Sequence, residues 1–135
     1  MRVCARGLRI AALLAAATMG CGPAERAPDA AAVAERFHSA VEAGRGEAAC
    51  AQLSDETAGE LEQQQGRPCR EAVLGLDLRT TGGVAETSAT VTSASVTHEG
   101  EGATFLDEGP DGWRVSAAGC APTAPDLPYD GELED

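Results

Sequence analysis

The stretch ATFLDEGPDGWRVSAAGC (residues 103–120) decides the fold prediction, because it has the pattern of two β-strands joined by a tight turn. Its centre, GPDG (residues 109–112), has the proline, aspartate and glycine chemistry that hairpin turns favour. Alternation along the second strand predicts that Trp113, Val115 and Ala117 share one face, with the polar residues between them on the other. The sequence therefore predicts an antiparallel hairpin near the end of the chain.

Two weaker strands are predicted upstream of this hairpin. After the two glycines at positions 82 and 83 the chain becomes rich in Thr, Ser and Val, and apolar residues recur at every second position. That alternation indicates strands over residues 84–91 and 93–99. The last segment, residues 122–135, is rich in proline and acidic residues, and we expect it to run as an irregular tail over the surface.

The first half of the chain shows the spacing of amphipathic helices instead. Apolar residues recur there at three and four positions, and residues suited to capping precede and follow the apolar runs. The predicted helices begin at Asp29, at Glu47, at Ser54 or Asp55, and at Pro68. Helices followed by a meander predict an α+β fold, in which N-terminal helices pack on a curved antiparallel sheet in one domain over residues 30–121.

The N-terminus has the features of an export signal. Arg2, Arg6 and Arg9 precede an uncharged apolar run over residues 10–19. A run of about ten residues is too short to cross a bilayer, which needs roughly 20. Residues 1–20 are therefore predicted to be a signal peptide.

The signal ends in TMGC (residues 18–21), which resembles the box that directs diacylglycerol onto a cysteine in bacterial lipoproteins. Gly20 and Cys21 match that pattern, and the two residues before them depart from it. We expect Cys21 to carry the lipid on the outer face of the cell membrane, with residues 21–29 as a tether. The alternative is cleavage after the small residues 15–17, which would release a secreted, soluble protein.

Charge excludes one class of partner. All 22 acidic residues and only seven of the ten arginines lie after the predicted signal, which leaves the exported part with a formal net charge of −15. The chain contains no lysine. Such a chain repels nucleic acid and anionic headgroups, so attachment to a membrane would depend on acyl chains.

The cysteines predict one disulfide. Once Cys4 leaves with the signal and Cys21 is acylated, three cysteines remain. We expect Cys50 and Cys69 to join the second and fourth helices, which would stabilise the fold by roughly 3 kcal/mol, and Cys120 to be unpaired or to form an intermolecular bond. No metal and no cofactor are expected, because the sequence has no C-x-x-C pair and the two histidines lie far apart along the chain.

A family resemblance rests on three short segments. DGWRV (residues 111–115), AAGC (residues 117–120) and PYD (residues 128–130) resemble a group of small actinobacterial lipoproteins of unknown function. The resemblance implies the cone of helices on a curved sheet that is found in the nuclear-transport-factor-two-like superfamily. It also implies a cysteine after the PYD segment, where this chain has Gly131, so Cys120 would lack that partner.

Two functions are compatible with this reading. The first is a non-catalytic binding or accessory domain, tethered to the membrane. Its pocket would be lined by Phe37, Phe105 and Trp113, without convergent charges, and it would meet a small apolar ligand or another envelope protein.

The alternative is a small hydrolase or isomerase that uses a carboxylate in the cone pocket, since the superfamily includes such enzymes. This alternative requires Asp77, Asp107 or His98 to lie deep in the fold beside a second polar group. His98 follows a weak strand and is expected to be exposed, and His38 is expected on the surface or at the rim of a pocket. No catalytic residue is therefore predicted.

Overall fold

The computed structural model describes residues 23–78, 82–99, 102–122 and 129–130, and within them helices precede an antiparallel sheet. This order is the α+β arrangement that the sequence predicts. The helical segments are α1 (Pro23–Glu42), α2 (Gly46–Cys50), α3 (Asp55–Gln65), α4 (Cys69–Ala72) and a short 3-10 turn (Val73–Gly75).

Helix α1 starts earlier than predicted. It begins at Pro23 and continues through Pro28, so most of the segment expected to be a tether is helical. Proline suits the first helical position because its ring fixes φ and its missing N–H would have no partner there. An acidic residue in the first turn, Glu25, adds a favourable interaction with the helix dipole. The prediction that the first helix begins at Asp29 is therefore wrong by six residues.

Helix α3 follows the predicted signals closely. The Ser54 side chain accepts a hydrogen bond from the backbone N–H of Thr57 at 3.1 Å, which satisfies one free donor at the start of the helix. Gly66 ends the helix in the left-handed region, with φ of 64°. A glycine adopts that conformation without the penalty that a Cβ imposes.

A disulfide joins α2 to α4. Cys50 and Cys69 are bonded with their Cα atoms 6.1 Å apart, at the pairing that the sequence predicts. The two helices are also in close backbone contact, because a Cβ built on Gly46 would lie 1.8 Å from the carbonyl oxygen of Arg70. Only glycine fits at this position, so α2 and α4 are held together by a bond and by close packing.

Four long strands form an open antiparallel sheet in the order β1-β2-β3-β4. A two-residue strand, β5, pairs with the end of β4, so three residues of the predicted irregular tail, Pro122, Tyr129 and Asp130, are extended. The strands are β1 (Val84–Ala89), β2 (Ser93–His98), β3 (Ala103–Gly109), β4 (Gly112–Pro122) and β5 (Tyr129–Asp130). The chain before α3 contacts β4 as well, where Val115 donates to the carbonyl of Gln52 at 2.8 Å.

The predicted hairpin forms, with two irregularities in its register. Gly109 pairs with Gly112 across the turn. Leu106 is opposite Val115, whereas Phe105 is opposite Ala117, so β4 contains one extra residue at this point. A bulge of this kind exchanges the two faces of the strand beyond it. The prediction that Ala117 shares a face with Val115 is therefore wrong, and Ala118 is buried instead.

The core lies between α1 and the sheet, and α2, α3 and α4 pack at its side. It is built mainly from small and aliphatic side chains. Its largest members with less than 2% of their surface exposed are Phe37, Leu61, Val73, Val96, Leu106 and Val115. Helix α1 therefore has one half over the β3-β4 hairpin and the other over β1 and β2, and both candidate sites lie along it.

Candidate functional site

The first candidate is an open cleft between the N-terminal half of α1 and the β3-β4 hairpin. We call it the α1–hairpin cleft. Its volume is about 740 Å³. It is lined by Glu25, Arg26, Asp29, Val33, Arg36, Glu108, Asp111, Gly112, Trp113 and Arg114.

An ion pair closes one side of this cleft. The Arg26 guanidinium contacts both carboxylate oxygens of Glu108, one of them at 2.9 Å. The same guanidinium donates to the carbonyl of Val91 at 2.6 Å. Arg26 thus connects α1 to β3 and to the turn between β1 and β2. Both charged side chains stay about a quarter to a third exposed, at 31% and 26%, so water reaches the pair.

Further charged groups converge on the cleft. Arg26, Arg36 and Arg114 all line it, although the chain has only seven arginines after Cys21. Arg36 donates through Nε to Gln52 at 3.2 Å, and Arg114 donates to the carbonyl of Trp113 at 3.1 Å. Each guanidinium group has five N–H donors, and the hydrogen bonds above use one donor of Arg36 and one of Arg114.

The predicted apolar pocket is not assembled. Trp113 borders the α1–hairpin cleft, where it is 6% exposed. Phe37 is fully buried in the core. Phe105 lies on the opposite face of β3 from the buried Leu106, in register with Ser95 and Ala117. The expected site without convergent charges is therefore replaced by a cleft in which most of the lining residues are charged.

The second candidate is a pair of histidines, which we call the histidine pair. His38 of α1 and His98 at the end of β2 have their ring centroids 4.6 Å apart, with the rings at 72° to each other. The Nε2 atoms of His38 and His98 lie 2.8 and 3.2 Å from Oγ1 of Thr104 in β3. Three elements of the fold thus meet at one hydroxyl group.

Burial keeps both imidazoles neutral. The pKa of His38 is lowered from 6.5 to about 4, first by desolvation and then by the neighbouring His98. Desolvation also lowers the pKa of His98, while the carboxylate of Glu35 acts in the opposite direction. Because each ring lies beside the other, a proton on one disfavours a proton on its neighbour.

A smaller recess adjoins the pair on its outer side. Its volume is about 290 Å³, and Glu35, Glu42 and Ser39 of α1 line it together with Val84 and both histidines. Thr104 itself is fully buried, so the shared hydroxyl lies behind the imidazoles. The Nε2 atoms of both rings are therefore directed at this buried hydroxyl, while both residues also border the recess.

His38 is half-buried and borders the recess, and it contacts His98 although the two lie 60 positions apart in the sequence. The prediction that His98 is exposed is wrong, because this residue is 7% exposed and therefore buried. Alternation was the signal that could have shown this for His98, because it follows Ala94 and Val96 on the same buried face of β2. Asp77 and Asp107 are both exposed.

The remaining predicted residues divide into two groups. Cys120 is buried near the end of β4, opposite Ala103. Cys21 and Gly131 lie outside the described residues. Within the part of the chain that the structure covers, no three His, Cys, Asp or Glu side chains are arranged to hold a metal ion, and no helix has the length and apolar content to cross a membrane.

Comparisons with known proteins do not assign the chain. No family model, no curated protein and no solved structure matches it. The function has to be inferred from the N-terminal segment and from the two candidate sites.

Proposed function

We propose that this protein is a lipoprotein anchored by diacylglycerol on Cys21 at the outer face of the cell membrane. Its α+β domain, which we assign to the nuclear-transport-factor-two-like cone, acts as a non-catalytic binding or accessory module. The basic start, the apolar run over residues 10–19 and the Gly20-Cys21 pair support the anchor. The α1–hairpin cleft supports the binding role.

The lining of the cleft carries the binding proposal. Three guanidinium groups, four carboxylates and one indole border the same space, in a chain whose exported part has a formal net charge of −15. The arginines can bind an acidic group of a ligand and the carboxylates a basic group, so this lining favours a ligand that carries both charges, such as an amino acid. The charged lining thus favours a polar ligand over the apolar one that the sequence suggests, and the net charge disfavours nucleic acid.

Chain geometry places this cleft close to the proposed anchor. Helix α1 begins two residues after Cys21, and Glu25 and Arg26 of its first turns line the cleft. A helix rises about 1.5 Å per residue, so the cleft begins within roughly 10 Å of the start of the helix. A ligand or an envelope protein would therefore be met near the membrane surface.

The anchor is tested by intact mass. Protein purified from membranes of a bacterial host is expected to begin at Cys21 and to be heavier by diacylglycerol. The Cys21→Ser variant should no longer be found in the membrane fraction. The Cys4→Ser variant, which changes only the predicted signal peptide, should behave like the wild type. An unmodified chain that begins near Thr18 and is recovered from the medium would overturn the anchor and make this a secreted protein.

Binding in the cleft is tested by fluorescence. Trp113 is the chain's single tryptophan and lines the cleft, so a titration with small mono- and dicarboxylates and amino acids should change its emission. Arg36→Gln is expected to weaken the response at least about fivefold, as the loss of one charge-assisted hydrogen bond would. Arg67→Gln is the matched control, because Arg67 is also exposed and also donates to a glutamine. Equal responses of both variants would contradict the proposal.

One observation favours a second function, an acid–base enzyme. His98 lies buried beside two polar side chains, which is the arrangement that the enzyme hypothesis requires. We favour the binding module because the hydroxyl that both Nε2 atoms contact is fully buried. Ester or epoxide hydrolysis that His98→Gln abolishes while the protein remains folded would reverse this preference.

A further inference from the structure

The histidine pair connects the C-terminal half of α1 to the sheet around one buried hydroxyl group. His38 comes from α1, His98 from β2 and Thr104 from β3, and the threonine is fully buried. These are the only two histidines in the chain. Every imidazole of this protein therefore lies in one contact between the helix and the sheet.

The hydrogen bonds of the pair require one imidazole whose Nε2 is unprotonated. A threonine hydroxyl donates one hydrogen bond and accepts others. It can therefore donate to the unprotonated Nε2 of one histidine while it accepts from the Nε2–H of the other, at the observed 2.8 and 3.2 Å. When the unprotonated Nε2 gains a proton, the hydroxyl loses the acceptor to which it donates. The positive charge of that imidazole then also lies in a desolvated contact.

The surrounding carboxylates only partly offset the cost of a positive charge on the imidazoles. On the outer side, Glu35 and Glu42 of α1 line the recess beside the rings. The neighbouring backbone at Gly82 and Gly83 supplies no titratable side chain, and Glu99 lies beside Gly82. The group from β3 is the uncharged Thr104. The carboxylates thus favour a first proton on His98, while desolvation continues to oppose a proton on His38.

We propose that the histidine pair is an acid-sensitive contact, which holds the C-terminal half of α1 on β2 and β3 at neutral pH and releases it when the imidazoles are protonated. An extracytoplasmic protein is exposed to the pH of its surroundings, so this contact would couple external acidity to the position of α1. Since the same helix supplies Arg26 and Arg36 to the α1–hairpin cleft, release would also alter that cleft. The coupling to external acidity and the change in the cleft rest on the location and function proposed above, whereas the contact itself does not.

Hydrogen exchange on the intact protein tests the proposal. Protection of the backbone amides in residues 34–42, corrected for intrinsic exchange, should fall between pH 7 and pH 5. Because opening is linked to proton uptake, each imidazole changes the opening equilibrium by up to about tenfold per pH unit. Helix α3 is the internal control, since its described hydrogen bonds involve neither histidine. Equal losses in α1 and α3 would indicate acid unfolding of the whole domain and would overturn the proposal.

A variant gives the second arm of the test. Gln places a polar atom near the position of Nε2 and does not titrate, so the double variant His38→Gln, His98→Gln should show the same protection of residues 34–42 at pH 7 and pH 5. A pH response that persists in the variant would also overturn the proposal. If the variant does not fold, the comparison of α1 with α3 in the wild-type protein decides the question. The fluorescence titration of the cleft can fail without affecting either result.

Discussion

The two halves of α1 contact the sheet in opposite ways. Near its start, Arg26 forms an ion pair with Glu108 in an open cleft, and both side chains keep a quarter to a third of their surface in water. Near its end, His38 meets His98 and the buried Thr104, and no charge is needed at neutral pH. In the open cleft the groups stay charged and paired, whereas around the buried hydroxyl of Thr104 they are neutral and hydrogen-bonded.

Acid should cause the largest loss of stability, through the histidine pair in the C-terminal half of α1. Between pH 6.5 and pH 4 the unfolded chain binds more protons at His38 than the folded chain does, so the free energy of unfolding falls as the pH falls. A pKa lowered from 6.5 to about 4 corresponds to a loss of about 3 kcal/mol over this range. Urea unfolding followed by Trp113 fluorescence at pH 7 and pH 4 measures it.

His38→Gln separates this contribution from that of the carboxylates, which the variant retains. The variant should lose clearly less stability than the wild type over the same pH range, whatever its stability at pH 7. Parallel losses in the two proteins would contradict the account of the histidine pair.

Removal of the hydroxyl that both histidines contact should have the next largest effect on the free energy of unfolding. Thr104→Val keeps the shape of the side chain but leaves both imidazoles without their common partner. The loss is expected to be about 1–3 kcal/mol at pH 7.5, the range for a buried polar group left without a hydrogen bond. Thr104→Ser, which retains the hydroxyl, is the control, and chemical denaturation measures both. A valine variant no less stable than the serine variant would show that the hydrogen bonds contribute nothing.

The ion pair in the N-terminal half of α1 should contribute least to the free energy of unfolding, and its contribution should depend most on salt. A double-mutant cycle with Arg26→Gln and Glu108→Gln is expected to give a coupling of less than about 1 kcal/mol, because water screens the pair. The coupling should decrease further at about 1 M salt, where the Debye length is roughly 3 Å. The effect of Thr104→Val should not change with salt. A large, salt-independent coupling would remove the contrast between the two halves.

Local signals predicted much of the fold. The start and end of α3 follow from Ser54 and Gly66, and the β3-β4 turn follows from the GPDG segment. The Cys50–Cys69 disulfide follows from the elements that carry the two residues. Each of these features depends on residues close together in sequence, or on an element whose type is already clear.

Features that depend on tertiary context were not predicted. The bulge in β4 depends on how Val115 and Ala117 meet the neighbouring strand, and no residue type marks it. The early start of α1 was hidden by Pro28, which removes one helical hydrogen bond although its ring is accommodated. Contact of Arg26 with Glu108 across 82 positions stabilises that first part of the helix.

In the candidate sites too, burial follows from local sequence, whereas contacts between distant residues do not. Alternation places His98 and Thr104 on the inner faces of β2 and β3, so their burial could have been predicted. Their meeting with His38 could not, because it depends on how α1 crosses the sheet. Likewise, no pattern in the sequence indicates that Arg26, Arg36 and Arg114 border one cleft.

A titration of the two imidazoles in the intact wild-type protein, followed through their Cε1–H signals by NMR, tests the contrast between the two halves of α1 most directly. With only two histidines in the chain, each signal can be assigned by one substitution. We expect the pKa of both rings to lie below 6.5, that of His38 at about 4, and the signal of each ring to respond to protonation of the other. Two independent titrations near pH 6.5 would show that the imidazoles are solvated and separate, and would contradict this expectation.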